Sequence, residues 1–381
     1  MKITDVEVAY LKIPSVAMEA NGTQDAAVIL IHTDEGITGI GEAESSPWVV
    51  KAIIEAPRSH SLMVGLKEVL IGENPLDIER LWRKMYQATI YYGRRGVVIH
   101  AISGIDIALW DIKGKVLNAP IYDLLGGSRD RKIRAYASAL WGKDGVETGE
   151  KAARFKELGY TAFKFGWKDF GKAEKTDRAH IEGARDAIGP DAPLMLDVGW
   201  AYDSGGPEWD VATALRRANI FAEYDVYWLE EPLHPDDWDG YAKLCANSPI
   251  RIAAGEEMAT VHEFRELIER AGLDVLQPDV ARVGGITETM RISAYAHAHK
   301  KPIVPHMYST GILGAASVHI NASIPNGLFQ EWPAPGEGSE LNSALVEPAI
   351  TIDKDGFIIV PTGPGLGIEL NKDIFEKYRI A

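Results

Sequence analysis

From Ile133 to Trp332 the chain repeats one pattern: a short β-branched or aromatic run, then an amphipathic stretch. The runs begin near Ile133 (IRAYASA), Thr161 (TAFKFGW), Leu194 (LMLDVGW), Val226 (VYWLEEPL), Ile250 (IRIAAGEE), Val275 (VLQPDVA), Ile303 (IVPHMY) and Leu328 (LFQEW), 24 to 33 residues apart. Stretches such as Gly149–Leu158 and Val261–Ala271 fill the gaps. Such runs are apolar because a parallel sheet is covered on both faces. Eight strands alternating with helices predict an α/β fold of the (β/α)8 barrel type. The eighth run is followed by the Pro/Gly-rich Trp332–Ser339, so the last helix is expected to be missing or irregular.

The first 125 residues have a different rhythm. Lys2–Lys12 alternates weakly, as a strand does, and Ala26–His32 and Gly36–Glu44 flank the turn Thr33-Asp34-Glu35-Gly36, which predicts a hairpin. Helices are expected near Val50–Ile71, Pro75–Ala88 and Gly96–Lys113. In the last, Ile102, Ile105, Leu109 and Ile112 share one face, and a stop is expected before Gly114. Strands followed by helices make an α+β domain over residues 1–125, ahead of a barrel over 126–345. The tail from Val346 to Ala381 has short strand-like pieces and is expected to pack back on the first domain.

Composition removes several function classes. No stretch approaches the roughly 20 apolar residues of a membrane span. The start, MKITDVEVAY, has no apolar signal core, which points to the cytoplasm. The single cysteine, Cys245, rules out an internal disulfide and reads as a small buried apolar residue. A net charge of −15 argues against nucleic acid, but not against an anionic small molecule, because a bound cation can invert the local field.

Barrel chemistry collects at the carboxyl ends of the strands. From the second run to the eighth those ends carry Lys164, Asp197, Glu230, Glu256, Asp279, His306 and Glu331. Singly, each has an ordinary reading: a solvated acid, a rim ion pair, a satisfied core histidine. Glu230 and Glu231 are neighbours on one strand, so only one can face the centre. Three acids on successive strands are harder to dismiss. Without a cation, each pair at ~4 Å would repel by about 4 kcal/mol at an effective dielectric near 20. A divalent ion turns that repulsion into binding, and an all-oxygen set favours Mg²⁺, with Mn²⁺ as the alternative.

At these residues the chain resembles the enolase superfamily, in its mandelate-racemase-like branch, over nearly its whole length. The resemblance implies a modified (β/α)8 TIM-like barrel preceded by an α+β capping domain that the C-terminal tail completes. It implies Asp197, Glu230 and Glu256 as ligands of Mg²⁺, His306 with Asp279 as the base, Lys164 beside the first ligand and Glu331 on the eighth strand. It also implies a small-molecule sugar acid as substrate, no nucleic-acid or membrane partner, and a homo-oligomer. Ala101–Lys115 and Leu124–Gly127 resemble the family's cap-to-barrel junction, where their role is packing.

Departures from the family pattern carry information. The racemases have Lys-x-Lys on the second strand; here it is Lys164-Phe165-Gly166, so glycine stands where the opposing base would be. Lys168 has the same parity but is expected beyond the strand end. Gly166 and Gly199 are expected to leave an open wall, with Trp167 and Trp200 turned elsewhere. A racemase needs donors on both faces of the planar intermediate, whereas a dehydratase needs one base and a departing C3 hydroxyl. The reading is therefore an acid-sugar dehydratase acting on an aldonate or aldarate to give a 2-keto-3-deoxy acid. An epimerase or racemase using Lys168 and a sugar-lactone cycloisomerase are alternatives, as is an inactive metal-binding barrel acting through interaction. The cap loops Ser15–Gln24 and Glu44–Val50 are expected over the distal hydroxyls. Tyr91, Tyr92, Arg94 and Arg95 either reach the site or lie at the surface or a domain interface.

Overall fold

A computed structural model describes residues 1–16, 23–199 and 208–380. Three antiparallel strands open the chain: β1 (Ile3–Lys12), β2 (Asp25–Thr33) and β3 (Thr38–Ala43). The expected hairpin joins β2 to β3. The expected helix over Val50–Ile71 is instead two, Pro47–Glu55 and Leu66–Leu70. Pro57 disfavours helical backbone at the residue before it, and Ala56 is extended at φ −55°, ψ 132°. Helices Ile78–Ala88 and Val97–Leu117 follow, and Ile102, Ile105, Leu109 and Ile112 are fully buried. The second of these helices does not stop before Gly114. A Cβ there would lie 2.4 Å from the Gly365 Cα, so this glycine admits the C-terminal tail against the helix.

The barrel is built from β4 (Ala135–Leu140), β5 (Phe163–Gly166), β6 (Leu194–Asp197), β7 (Val226–Glu230), β8 (Arg251–Ala254), β9 (Val275–Leu276) and β10 (Gln330–Pro333). Among the described residues these pair in parallel in the order β10-β4-β5-β6-β7-β8-β9. The seventh run is not a continuous strand, because Pro302 and Pro305 offer no N–H to a ladder. It still closes the ring: Val304 N–H donates to the Leu276 carbonyl at 2.9 Å, and Leu328 N–H to the Ile303 carbonyl at 3.0 Å. After β10, where the last barrel helix would stand, the chain makes the short helix Glu340–Ala344, and a second short helix, Lys372–Tyr378, comes in the tail. The interior is filled by one residue from each unit: Tyr136, Ala162, Met195, Trp228, Ala253, Val275, Val304 and Phe329. The outward side chains of the same strands, such as Phe165, Leu196, Leu229 and Ile252, are buried under the surrounding helices. No described helix is long and apolar enough to cross a membrane.

Buried cap carboxylates tie the two parts together. Glu42 accepts from the Ser309 and Thr310 hydroxyls, both at 2.7 Å, and from Leu313 N–H at 3.0 Å, in the first turn of the helix Gly311–Ser323. Asp106 accepts from Thr287 N–H at 2.9 Å and the Thr287 hydroxyl at 2.6 Å, at the start of the helix Gly285–Ala298. Asp111 accepts from Leu366 N–H at 2.9 Å. Glu42 and Asp106 complete helix N-termini that have no intrahelical partners, whereas Asp111 holds the C-terminal tail. The stretch Ala101–Lys115 therefore does more than pack. The tail crosses the base of the barrel, where Ile358 N–H donates to the Ile133 carbonyl, and ends on β1, where Ile380 N–H donates to the Tyr10 carbonyl.

Burial, and then nearby Glu44, push the Glu42 carboxyl up to about 7 against its hydrogen bonds. A carboxyl raised in the folded state stabilises it while protonated, and that contribution is lost as pH rises through the raised value. Relative to Glu42→Gln, the wild type should lose about 2 kcal/mol between about pH 5.5 and about pH 8.5. Urea unfolding of both proteins at the two pH values checks this; a constant difference would contradict it.

Candidate active site

Side chains on a strand alternate, so the residues two beyond the barrel's interior layer share its inward face. Two beyond Tyr136 is Ser138; beyond Ala162, Lys164; beyond Met195, Asp197. Two beyond Trp228 is Glu230, beyond Val304 His306, and beyond Phe329 Glu331. The polar ring is the apolar layer advanced by one pleat. Asp279 stands four beyond Val275. Glu256 breaks the parity, and the break is visible at Gly255, whose φ is 131°. Trp167, Gly199 and Glu231 also have positive φ just past β5, β6 and β7. Such conformations re-aim the chain at strand ends where sites are built. Of the two neighbouring glutamates, Glu230 turns inward. Glu231 turns away, accepting from Gly255 N–H at 2.8 Å and from the Tyr241 hydroxyl at 3.2 Å.

The seven side chains singled out in the sequence meet in one place. Asp197, Glu230 and Glu256 each offer a carboxylate oxygen, all within 4.8 Å of one another, and all three residues are buried. Burial and then Glu230 push Asp197 well above the usual carboxylate range; burial also raises Glu256. Three crowded acids in an all-oxygen set suit a hard divalent cation, so these residues fit the group the sequence implied. Trp228 Nε1 donates to Glu230 at 2.9 Å from the layer below. Lys164 bonds Glu230, Glu331 at 2.8 Å, and approaches Asp197 at 3.6 Å. Burial opposes its charge, but Glu230 and Glu331 outweigh that and hold it protonated. Glu331 also accepts from the Ser138 hydroxyl at 2.7 Å and Met307 N–H at 2.8 Å. Burial alone would raise its pKa; Lys164 and His306 bring it below the usual range.

His306 Nδ1 lies 2.7 Å from Asp279, and Nε2 lies 3.4 Å from Glu256. Burial disfavours the imidazolium, but Glu256, Glu331 and the bond to Asp279 push it up to about 10. Lys164, Asp197, Glu256, His306 and Glu331 line a cavity of about 370 Å³ between barrel and cap. That is room for a small metabolite.

Two expectations, about the glycines and about Trp167, are corrected. Gly166 and Gly199 do not leave an open wall. A Cβ on Gly166 would lie 2.8 Å from the Asp197 Cβ, and one on Gly199 would lie 2.7 Å from the Trp167 ring. Trp167 is not turned elsewhere but lines the cavity. Trp200, and residues 17–22 of the Ser15–Gln24 loop, lie outside the described residues. Lys168 follows β5 with φ 57°, is not among the cavity's lining residues, and its charge is felt at His180 of the helix Glu174–Ile188. Tyr91, Tyr92, Arg94 and Arg95 do not line the site. Arg94 and Arg95 face a second cavity, and Arg95 pairs with Glu263 at 2.8 Å.

Sequence reasoning missed Arg282, which reaches Glu257 at 3.1 Å, Glu44 of the cap at 3.6 Å and Glu256 at 3.8 Å. Its signal was available: it stands three residues after Asp279, one turn beyond a strand end. Ser138, the inward residue of the first strand, was missed because it does not ionise. Tyr308 was missed because a loop brings it in, whereas Gln24 and Glu44 belong to the two cap loops expected over the site, and both line the cavity.

Two family models match. Residues 2–126 fit the mandelate racemase / muconate lactonizing enzyme N-terminal domain, and 147–374 the enolase C-terminal domain-like family. This chain belongs to the mandelate racemase-like branch of the enolase superfamily. It is 32% identical over 365 residues to the D-galactarolactone cycloisomerase of Agrobacterium fabrum, covering 93% of this chain and 91% of that protein. It is 34% identical over 360 residues to the L-rhamnonate dehydratase of Saccharopolyspora erythraea, covering 91% and 83%. The crystal structure of the 3,6-anhydro-D-galactonate cycloisomerase of Zobellia galactanivorans superposes with a TM-score of 0.87 at 31% identity, covering 100% of both chains. Enolase-superfamily members bind a divalent metal, and the buried triad is where this one can hold it.

The closed wall has a direct test. Gly166→Ala should displace Asp197, lowering divalent-ion affinity at least tenfold, an estimate of about 1–3 kcal/mol from overpacking. Calorimetric titration with Mg²⁺ reads it. Unchanged affinity and melting temperature would mean that the wall has slack.

Proposed function

We propose that the chain is a Mg²⁺-dependent acid-sugar dehydratase. It would remove the C2 proton of a sugar acid and expel the C3 hydroxyl, giving a 2-keto-3-deoxy acid. The observation that carries this reading is one-sidedness. Facing the carboxylate triad, the described lining residues include one group suited to be the base, His306. Lys164 is held charged by Glu230 and Glu331, and the wall where a second base would stand is Gly166 and Trp167.

Asp197, Glu230 and Glu256 would hold the cation, which when bound polarises the substrate carboxylate and offsets the charge that develops as the proton leaves. Lys164 would add a fixed positive charge at the same oxygens. Glu331, with its lowered pKa, stays an acceptor, so its part is to aim Lys164 rather than to donate to the substrate. Asp279 holds the imidazole by Nδ1 and leaves Nε2 toward the cavity. His306 must be neutral to accept a proton, and positive charge beside Glu256 removes the main influence that keeps it charged. Having taken the C2 proton, the imidazolium could deliver it to the departing hydroxyl.

His306→Asn should lower turnover about 10²–10⁴-fold and abolish C2–H exchange with solvent deuterium. Asp279→Asn should be milder or comparable. Glu230→Gln should lose Mg²⁺ binding and activity while keeping the native circular dichroism. Sugar acids incubated in D₂O with Mg²⁺ should yield 2-keto-3-deoxy acids, detected by NMR. Racemisation of an α-hydroxy acid that Lys168→Ala removes would overturn the one-base reading. Opening of a sugar lactone with no 2-keto product would favour a cycloisomerase, which also needs only one face and is what two of the similar proteins are named.

A further inference from the structure

The charges around the cavity bear on which sugar acid fits it. Glu44, Asp197, Glu256, Glu257 and Glu331 line it, and the cationic lining side chains among the described residues are Lys164, Arg282 and His306. Each of the three is already engaged. Lys164 is held by Glu230 and Glu331, and His306 by Asp279 and Glu256. Arg282 is shared among Glu257, Glu44 and Glu256. Residues 17–22 (AMEANG) and 200–207 (WAYDSGGP) contain no Lys, Arg or His, so they bring no further cation.

A substrate's first carboxylate has a place, at the triad's cation and Lys164. A second carboxylate at the far end of the sugar has none. On the lining outside the triad it would meet the acids Glu44 and Glu257, whose counter-ion is one guanidinium divided among three acids. Hydroxyl groups meet the same residues favourably, because an ionised carboxylate accepts hydrogen bonds and a sugar hydroxyl donates them. Gln24 and Tyr308, also on the lining, add neutral polar partners.

We infer that the substrate carries a single carboxylate and a neutral hydroxylated tail, an aldonate rather than an aldarate, and that Glu44 and Glu257 exclude the diacid. This rests on the sugar-acid reading above and narrows it. It uses repulsion as the discriminating element, which is how many sites reject a near-identical ligand.

The test uses the Mg²⁺-loaded protein and matched pairs: galactonate with galactarate, gluconate with glucarate, mannonate with mannarate. Binding is read by calorimetry and 2-keto acid formation by NMR, separately. In every pair that binds, the aldonate should be favoured at least about tenfold, the scale of a like-charge contact partly screened by water. The double variant Glu44→Gln/Glu257→Gln frees Arg282 and should narrow or reverse that ratio, whatever it does to turnover. Aldarates binding as tightly as aldonates, or no aldonate binding at all, overturns the inference. An unchanged ratio in a folded double variant overturns the assignment to Glu44 and Glu257. Aldonate binding without any 2-keto acid would sink the dehydratase reading while upholding this one.

Discussion

Everything near the centre of this barrel depends on keeping carboxylates buried beside one another. Asp197, Glu230, Glu256, Asp279 and Glu331 are all less than a tenth exposed, against Lys164, His306 and a mostly buried Arg282. Buried charges survive only when paired and hydrogen-bonded. Lys164 answers Glu230 and Glu331, Arg282 answers Glu256, and His306 answers Asp279. Five carboxylates against three cationic side chains leave a negative surplus, greatest at Asp197, which lies 3.6 Å from a Lys164 already shared with two other acids, and a cation at the triad would offset it. Burial raises both the Asp197 and Glu256 carboxyls, and at Asp197 the neighbouring Glu230 adds to the rise, which reports the same imbalance from the proton's side.

Much of this was legible in the sequence because a strand's alternation carries information over distance. The spacing of eight runs predicted the barrel, and the ionisable residue at each strand end located the centre. The reading failed where an effect is not periodic. Pro57 split the single helix expected over Val50–Ile71. Pro305 broke the seventh strand beside His306, yet His306 still lies opposite Asp279 through a single parallel bridge. Gly166 illustrates the opposite error. Absence of a side chain was read as space, but on a sheet the neighbouring strand's residue already fills it, here Asp197, paired with Gly166 in register.

Arg282 shows why long-range partners stay hidden. Its residue type and place on the chain are plain, but its meaning depends on Glu44, which comes from the other part of the molecule. Glu44 N–H donates to the Ala281 carbonyl at 3.3 Å, and its carboxylate lies 3.6 Å from Arg282. No local pattern joins residue 44 to residue 282.

That contact gives the cap a part in the electrostatics of the site as well as in covering it. Arg282 touches Glu256, one of the three acids around the candidate metal position, and is itself held by the cap through Glu44. One guanidinium is thus divided between the cap's Glu44 and the barrel's Glu256 and Glu257. Glu42, two residues before Glu44 on the same strand exit, is anchored at the first turn of the helix that follows His306. The chain that positions the cap's acid is thus pinned to the chain that positions the histidine, so the cap, the triad and the dyad share one set of buried charges.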